Sequence, residues 1–94
     1  MEKNRKAVMA RITGKVQGVS FRVWTRMEAR KLGLAGWVRN EDDGAVTALI
    51  VGHDAAVAAM MERLWQGPAG ALVRNVVSQE IEPDELVSDF RITV

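Results

Sequence analysis

From Ala7 to Thr13 the chain alternates, with Val8, Ala10 and Ile12 on one side and Met9, Arg11 and Thr13 on the other. This is the two-residue period of a half-buried strand, and Gly14 ends it. The period then changes: Phe21, Thr25, Ala29 and Leu32 recur at helical spacing with basic residues between them, which predicts an amphipathic helix from Phe21 to Leu32 with Gly33 as its left-handed stop. GWVRN predicts a strand from Gly36 to Asn40, EDDG a turn and VTALIV a return strand from Val46 to Val51, together a hairpin. Asp54 is expected to cap a second helix running to about Gln66, with Val57, Met60, Met61 and Leu64 on its buried face and Gly67-Pro68 as its end. ALVRNVVSQEI holds two valine-rich, strand-like stretches, EPDE reads as a turn, and FRITV as a terminal strand with Phe90, Ile92 and Val94 on one face.

Strand, helix, strand, strand, helix, strand and a short terminal strand is the βαββαβ order of the ferredoxin-like α/β sandwich, an α+β fold. The expectation is an antiparallel sheet with both helices on one face. Residues 1–6, polar and charged, are expected to form a flexible N-terminal tail, and residues 7–94 a single domain. With 94 residues and 48% hydrophobic content the chain has room for one core and no second. The plan alone decides nothing about activity, because enzymes, RNA binders and ligand sensors share it.

Composition narrows the chemistry. There is no cysteine and one histidine, His53, which removes disulfides, thiol nucleophiles and Cys- or His-cluster metal sites. No signal peptide or apolar run of membrane-spanning length is found, so the default address is the cytoplasm. The net charge of +1 gives no general attraction to nucleic acid or to an acidic membrane. Basic residues nevertheless crowd the first third of the chain, from Arg5 to Lys31. A small anion is the ligand such an asymmetry suits.

Gly14 to Ser20 joins the first strand to the first helix, and Gly14 and Gly18 allow successive amides to converge on one point. The helix start behind the loop adds unsatisfied donors and the positive end of the macrodipole, the ingredients of an anion site. The plainer reading is an ordinary strand-to-helix connection. Arg22 weighs against it: a cation in the first turn costs roughly 0.3 to 1 kcal/mol, and an anion between it and the helix end removes the conflict. Its planar guanidinium suits two phosphoryl oxygens. Val38 and Asn40 share a strand face, so with Val38 in the core Asn40 points to the helices and the loop, where its amide can orient a water without carrying charge. Taken alone, Asn40 reads first as the residue that opens the EDDG turn, because Asn at strand ends is a common turn residue.

No general base is apparent. His53 and Asp54 read as helix entry, Glu28 as a helix residue, Ser20 as a helix-start hydroxyl without an activating partner, and Glu41, Asp42 and Asp43 as a solvated turn rather than a metal site. A phosphate monoester needs a metal, nucleophile or acid to expel its alkoxide. An acyl phosphate expels a carboxylate whose conjugate acid has a pKa of about 4, so holding the phosphoryl oxygens and aiming a water suffices.

The same residues resemble the acylphosphatase family. GKVQGVSFR, Gly14 to Arg22, is similar to its first signature, a glycine loop ending in Phe and a phosphate-binding Arg; GWVRN with the later Gly44, Val46 and Gly52 is similar to its second, whose Asn is here Asn40. LGLAGWV, GPAGALV and FRITV extend the likeness over about residues 7 to 94. The resemblance implies hydrolysis of acyl phosphates to carboxylate and inorganic phosphate. It assigns the phosphate site to Lys15, Val16, Gln17, Gly18, Val19, Ser20 and Arg22 and the attacking water to Asn40, with no metal and no cofactor. Inorganic phosphate is then product and inhibitor, the substrate is a small molecule, nucleic acid and membranes play no part, and a monomer is the simplest state. Ala48 and Val51 depart from the more polar residues often found in the family's third strand, a difference expected to touch surface polarity. Two rivals stand beside this reading: a sensor that binds an anion without hydrolysis, and an RNA-binding module, for which the exposed aromatics are lacking.

Overall fold

In the computed structural model, which describes residues 5–83 and 87–93, seven elements follow in order: β1 (Arg5–Lys15), α1 (Phe21–Lys31), β2 (Ala35–Asn40), β3 (Val46–His53), α2 (Asp54–Gln66), β4 (Leu72–Ile81) and β5 (Phe90–Ile92). The five strands form one sheet in the order β4-β1-β3-β2-β5. β1 lies antiparallel to β3 and to β4, and β2 antiparallel to β3. The fold is the expected ferredoxin-like α+β plan.

β5 differs from expectation in direction. It pairs parallel to β2, with Gly36 opposite Phe90 and Val38 opposite Ile92, so the sheet is mixed. The reason is topological: β4 runs opposite to β1 and ends where β2 begins, so a chain crossing there to the far edge enters it running alongside β2. β1 is also longer than its pattern suggests: Arg5 and Lys6, expected in the tail, pair with His53 and Gly52 at its start. The valine-rich stretches of ALVRNVVSQEI form the single strand β4. Parts of two expectations, the EPDE turn at Asp84 and Glu85 and the placement of Val94, lie outside the described residues.

Alternation along the strands separates two apolar layers. Val8, Ala10, Ile12, Val38, Val46, Ala48 and Ile50 face the helices and meet Phe21 and Ala29 of α1 and Val57, Met60 and Leu64 of α2. The opposite face holds a smaller cluster of Ala7, Ala35, Leu49 and Val51, against which Trp37 and Val87 pack. Trp37 is the aromatic of that face, with Arg39 stacked 4.7 Å from its ring. Ala48 and Val51 are 0% and 1% exposed. Their apolar character is therefore set by the two core layers and does not concern surface polarity, correcting the expectation.

α1 is held at its C-terminal end by recognisable local bonds. α1 stops with Gly33 at φ 71°, where the Gly33 amide donates to Arg30 O and the Leu34 amide to Ala29 O at 2.9 Å, the paired bonds of a Schellman stop. α2 is entered from His53 in extended backbone, with Asp54 as the acid of its first turn rather than as the cap. Arg63 of α2 bonds Glu28 of α1 at 2.8 Å, which gives Glu28 a structural role.

Candidate active site

The loop after β1 is anchored at alternate points. Val16 is 1% exposed and Phe21 2%, both in the core, while Gly18 and Ser20 between them face solvent. Gly18 has φ 75° and Ser20 φ 61°, so the backbone turns through left-handed conformations twice within three residues. Ser20 is the only non-glycine with positive φ among the described residues, a conformation that costs of order 1 kcal/mol outside glycine.

α1 starts without the usual compensation. Ser20 occupies the cap position, yet its hydroxyl makes no capping bond, and no acidic residue stands in the first turn. The positive end of the helix and its leading amides are left open toward the loop. Arg22, half-buried, adds a cation there and makes no ion pair among the described residues.

Asn40 ends β2 opposite Val46, which in turn lies opposite Ile12, a row whose Val46 and Ile12 are fully buried under the helices. Its side chain therefore shares their face. Val16, Gln17, Gly18, Ser20, Phe21, Arg22, Val23, Asn40 and Ile92 line one cleft of about 360 Å³. Polar groups from Gln17, Ser20, Arg22 and Asn40 face apolar walls from Val23 and Ile92.

The structure thus brings together six of the eight residues singled out from sequence. The other two lie apart from the lining: Val19 packs against the main core, and Lys15, still in the β1 ladder opposite Leu72, borders a separate hollow with Arg74. Strand pairing continues further than the glycine at position 14 suggests, which keeps Lys15 out of the cradle. The acidic turn is engaged with cations. Glu41 is held below its ordinary value by the hydrogen bonds from Arg39 and Thr47, and Asp43 by those from Arg11 and the Ala45 amide.

Comparison with known proteins decides the family. The acylphosphatase family model matches residues 8–92. The chain belongs to the acylphosphatase family. An acylphosphatase of Rhizobium meliloti (strain 1021) is 58% identical over 93 residues, 99% of this chain and 98% of the relative. One from Mesorhizobium japonicum is 60% identical over 92 residues, 98% of each. The solved acylphosphatase of Coxiella burnetii superposes with a TM-score of 0.94 at 40% identity, covering 98% of this chain and 96% of that one. Acylphosphatases hydrolyse acyl phosphates, and this chain is an enzyme of that class.

Sequence reasoning missed two features of the acylphosphatase cleft. Val23 and Ile92 form its apolar wall, although the alternation of FRITV had already put Ile92 on the side of Phe90. The side chain of Gln17 was passed over in favour of its amide, because nothing in a linear pattern shows which turn a loop residue reaches.

Proposed function

We propose that the cleft binds the phosphoryl group of an acyl phosphate on the loop amides from Val16 to Ser20 and the Arg22 guanidinium, while the Asn40 amide holds the attacking water. The observation that carries this reading is the meeting of Asn40 with the uncapped start of α1 and Arg22 in one cleft. Water oxygen bonds to phosphorus as the bond from phosphorus to the carboxylate oxygen breaks; the carboxylate leaves, and the water's proton passes to the phosphate. The leaving group needs no general acid, which fits a cleft whose lining, among the described residues, holds no carboxylate and no histidine. Donors fixed before the substrate arrives stabilise the charge on the equatorial oxygens without reorganising.

The same reading takes the protein as a cytoplasmic monomer acting on a free small molecule, with neither metal nor cofactor and with inorganic phosphate as product and inhibitor. The test is hydrolysis of benzoyl phosphate followed by ultraviolet absorbance in the presence of a chelator. Wild type is expected to turn over. Arg22→Ala and Arg22→Lys are expected to lose both turnover and inhibition by phosphate, and Asn40→Ala to keep phosphate inhibition while kcat falls by about a hundredfold or more. Undiminished turnover in Asn40→Ala removes the role given to Asn40, and loss of wild-type turnover on chelation removes the metal-free mechanism.

A further inference from the structure

The β2–β3 turn, Glu41 to Ala45, begins at the residue after Asn40, so its position sets where Asn40 stands. Within the turn the Glu41 amide donates to Ala45 O at 2.8 Å and the Gly44 amide to Glu41 O at 3.2 Å. Each of those two carbonyls receives a second donor from outside the turn. Gln17 Nε2 donates to Glu41 O at 2.8 Å and to Ala45 O at 2.9 Å. Both partners are acceptors, so only the NH₂ end of the Gln17 amide can face them, and the side chain has one orientation. Among the described residues these two are the side-chain hydrogen bonds that join the loop to the turn.

The backbone of Gln17 lies between Val16, which the core anchors, and Gly18, where the chain turns left-handed. A displacement of the turn is thereby resisted by the loop, and the reverse. We infer that Gln17 is a positioning residue: its side chain fixes the distance between the loop cradle and Asn40, and so the alignment of water with the bound phosphoryl group. This inference rests on the mechanism proposed above. It differs from a phosphate-binding role for the Gln17 side chain, because the side-chain donors are spent on the turn.

The test compares benzoyl phosphate hydrolysis, and its inhibition by inorganic phosphate, in wild type, Gln17→Met and Gln17→Glu, each alone and combined with Asn40→Ala. Met matches the length of Gln without a donor, and Glu matches its shape but sets an acceptor against two carbonyls. Circular dichroism and thermal melting establish the fold of each, and either folded variant suffices. In the wild-type background kcat is expected to fall about 10- to 100-fold, the cost of a misplaced reacting group, with phosphate inhibition within about threefold of wild type. In the Asn40→Ala background the same substitutions are expected to cost less than about twofold, because residues acting through one step are not additive.

Three results overturn the inference alone: a folded Gln17→Met with kcat within about twofold of wild type, a full loss repeated in the Asn40→Ala background, or weakened phosphate inhibition with kcat unchanged. Absence of wild-type hydrolysis, or undiminished kcat in Asn40→Ala, instead overturns the underlying mechanism and takes the inference with it.

Discussion

Thr25 shows what a hydrophobic period reveals and what it hides. Its place on the stripe Phe21, Thr25, Ala29 was legible, and it is 0% exposed. The period is blind to its hydroxyl, whose oxygen is buried without a hydrogen-bond partner among the described residues. An unpaired buried hydroxyl costs about 1–3 kcal/mol, whereas Val keeps the branched shape and the packing. Thr25→Val is therefore expected to raise stability by about 1 kcal/mol in denaturant titration while kcat is unchanged. A loss of stability would show that the hydroxyl has a partner worth keeping. Ser20 is the complementary case: a hydroxyl at a helix start reads as a cap, but the left-handed backbone there turns it away from that duty. Side-chain type announced a boundary and not the dihedral angle adopted at it.

Elements with strong periods were the legible ones. Both helices and the β2–β3 hairpin fall close to their expected bounds, because burial of one face enforces the pattern. The direction of β5 was hidden, since three residues carry no information about which way they pair; the connection from β4 decides it. The turn between β2 and β3 was read as solvated charge; two of its three carboxylates, Glu41 and Asp43, are paired with cations, while Asp42 stays exposed. Arg39 bonds Glu41 at 2.8 Å, and Arg11 bonds Asp43. Both carboxyls are held below their ordinary values of 4.5 and 3.8. A depressed folded-state pKa gives stability that is complete above the unfolded value and is lost as pH falls through the folded one. The denaturation midpoint is thus expected to hold level down to about pH 5 and to decline below about pH 4, with Glu41→Gln and Asp43→Asn each flattening the decline. Added salt should reduce the same contribution, because these pairs stand in solvent. A midpoint whose acid decline is unaltered in both variants would assign it to other carboxylates.

On the scale of the whole molecule, a net charge of +1 coexists with the proposed anion site. The resolution is architectural. Two layers place the start of α1, the end of β2 and the end of β5 at one edge of the sandwich, where open amides and Arg22 concentrate positive potential that the formal charge does not register. From sequence the loop, Arg22 and Asn40 were legible as parts; their convergence needed the strand order to bring Asn40 beside the loop. A ligand bound only by the folded chain stabilises it by RT ln(1 + [L]/Kd), about 2.7 kcal/mol at a hundredfold excess over Kd, and a domain of this size gains about 4–8 °C in Tm for each kcal/mol. Phosphate is expected to raise Tm by about 10 °C or more under those conditions in wild type and in Asn40→Ala, and far less in Arg22→Ala, against chloride at matched ionic strength. The Asn40→Ala arm separates the two halves of the proposed site, because it removes the amide assigned to the water and leaves the groups assigned to phosphate. An equal rise in all three proteins would mean that phosphate acts by exclusion from the surface, a salting effect blind to the cleft. A rise confined to proteins that retain Arg22 would locate the binding energy at the start of α1, where the missing cap and the absent first-turn acid leave room for an anion.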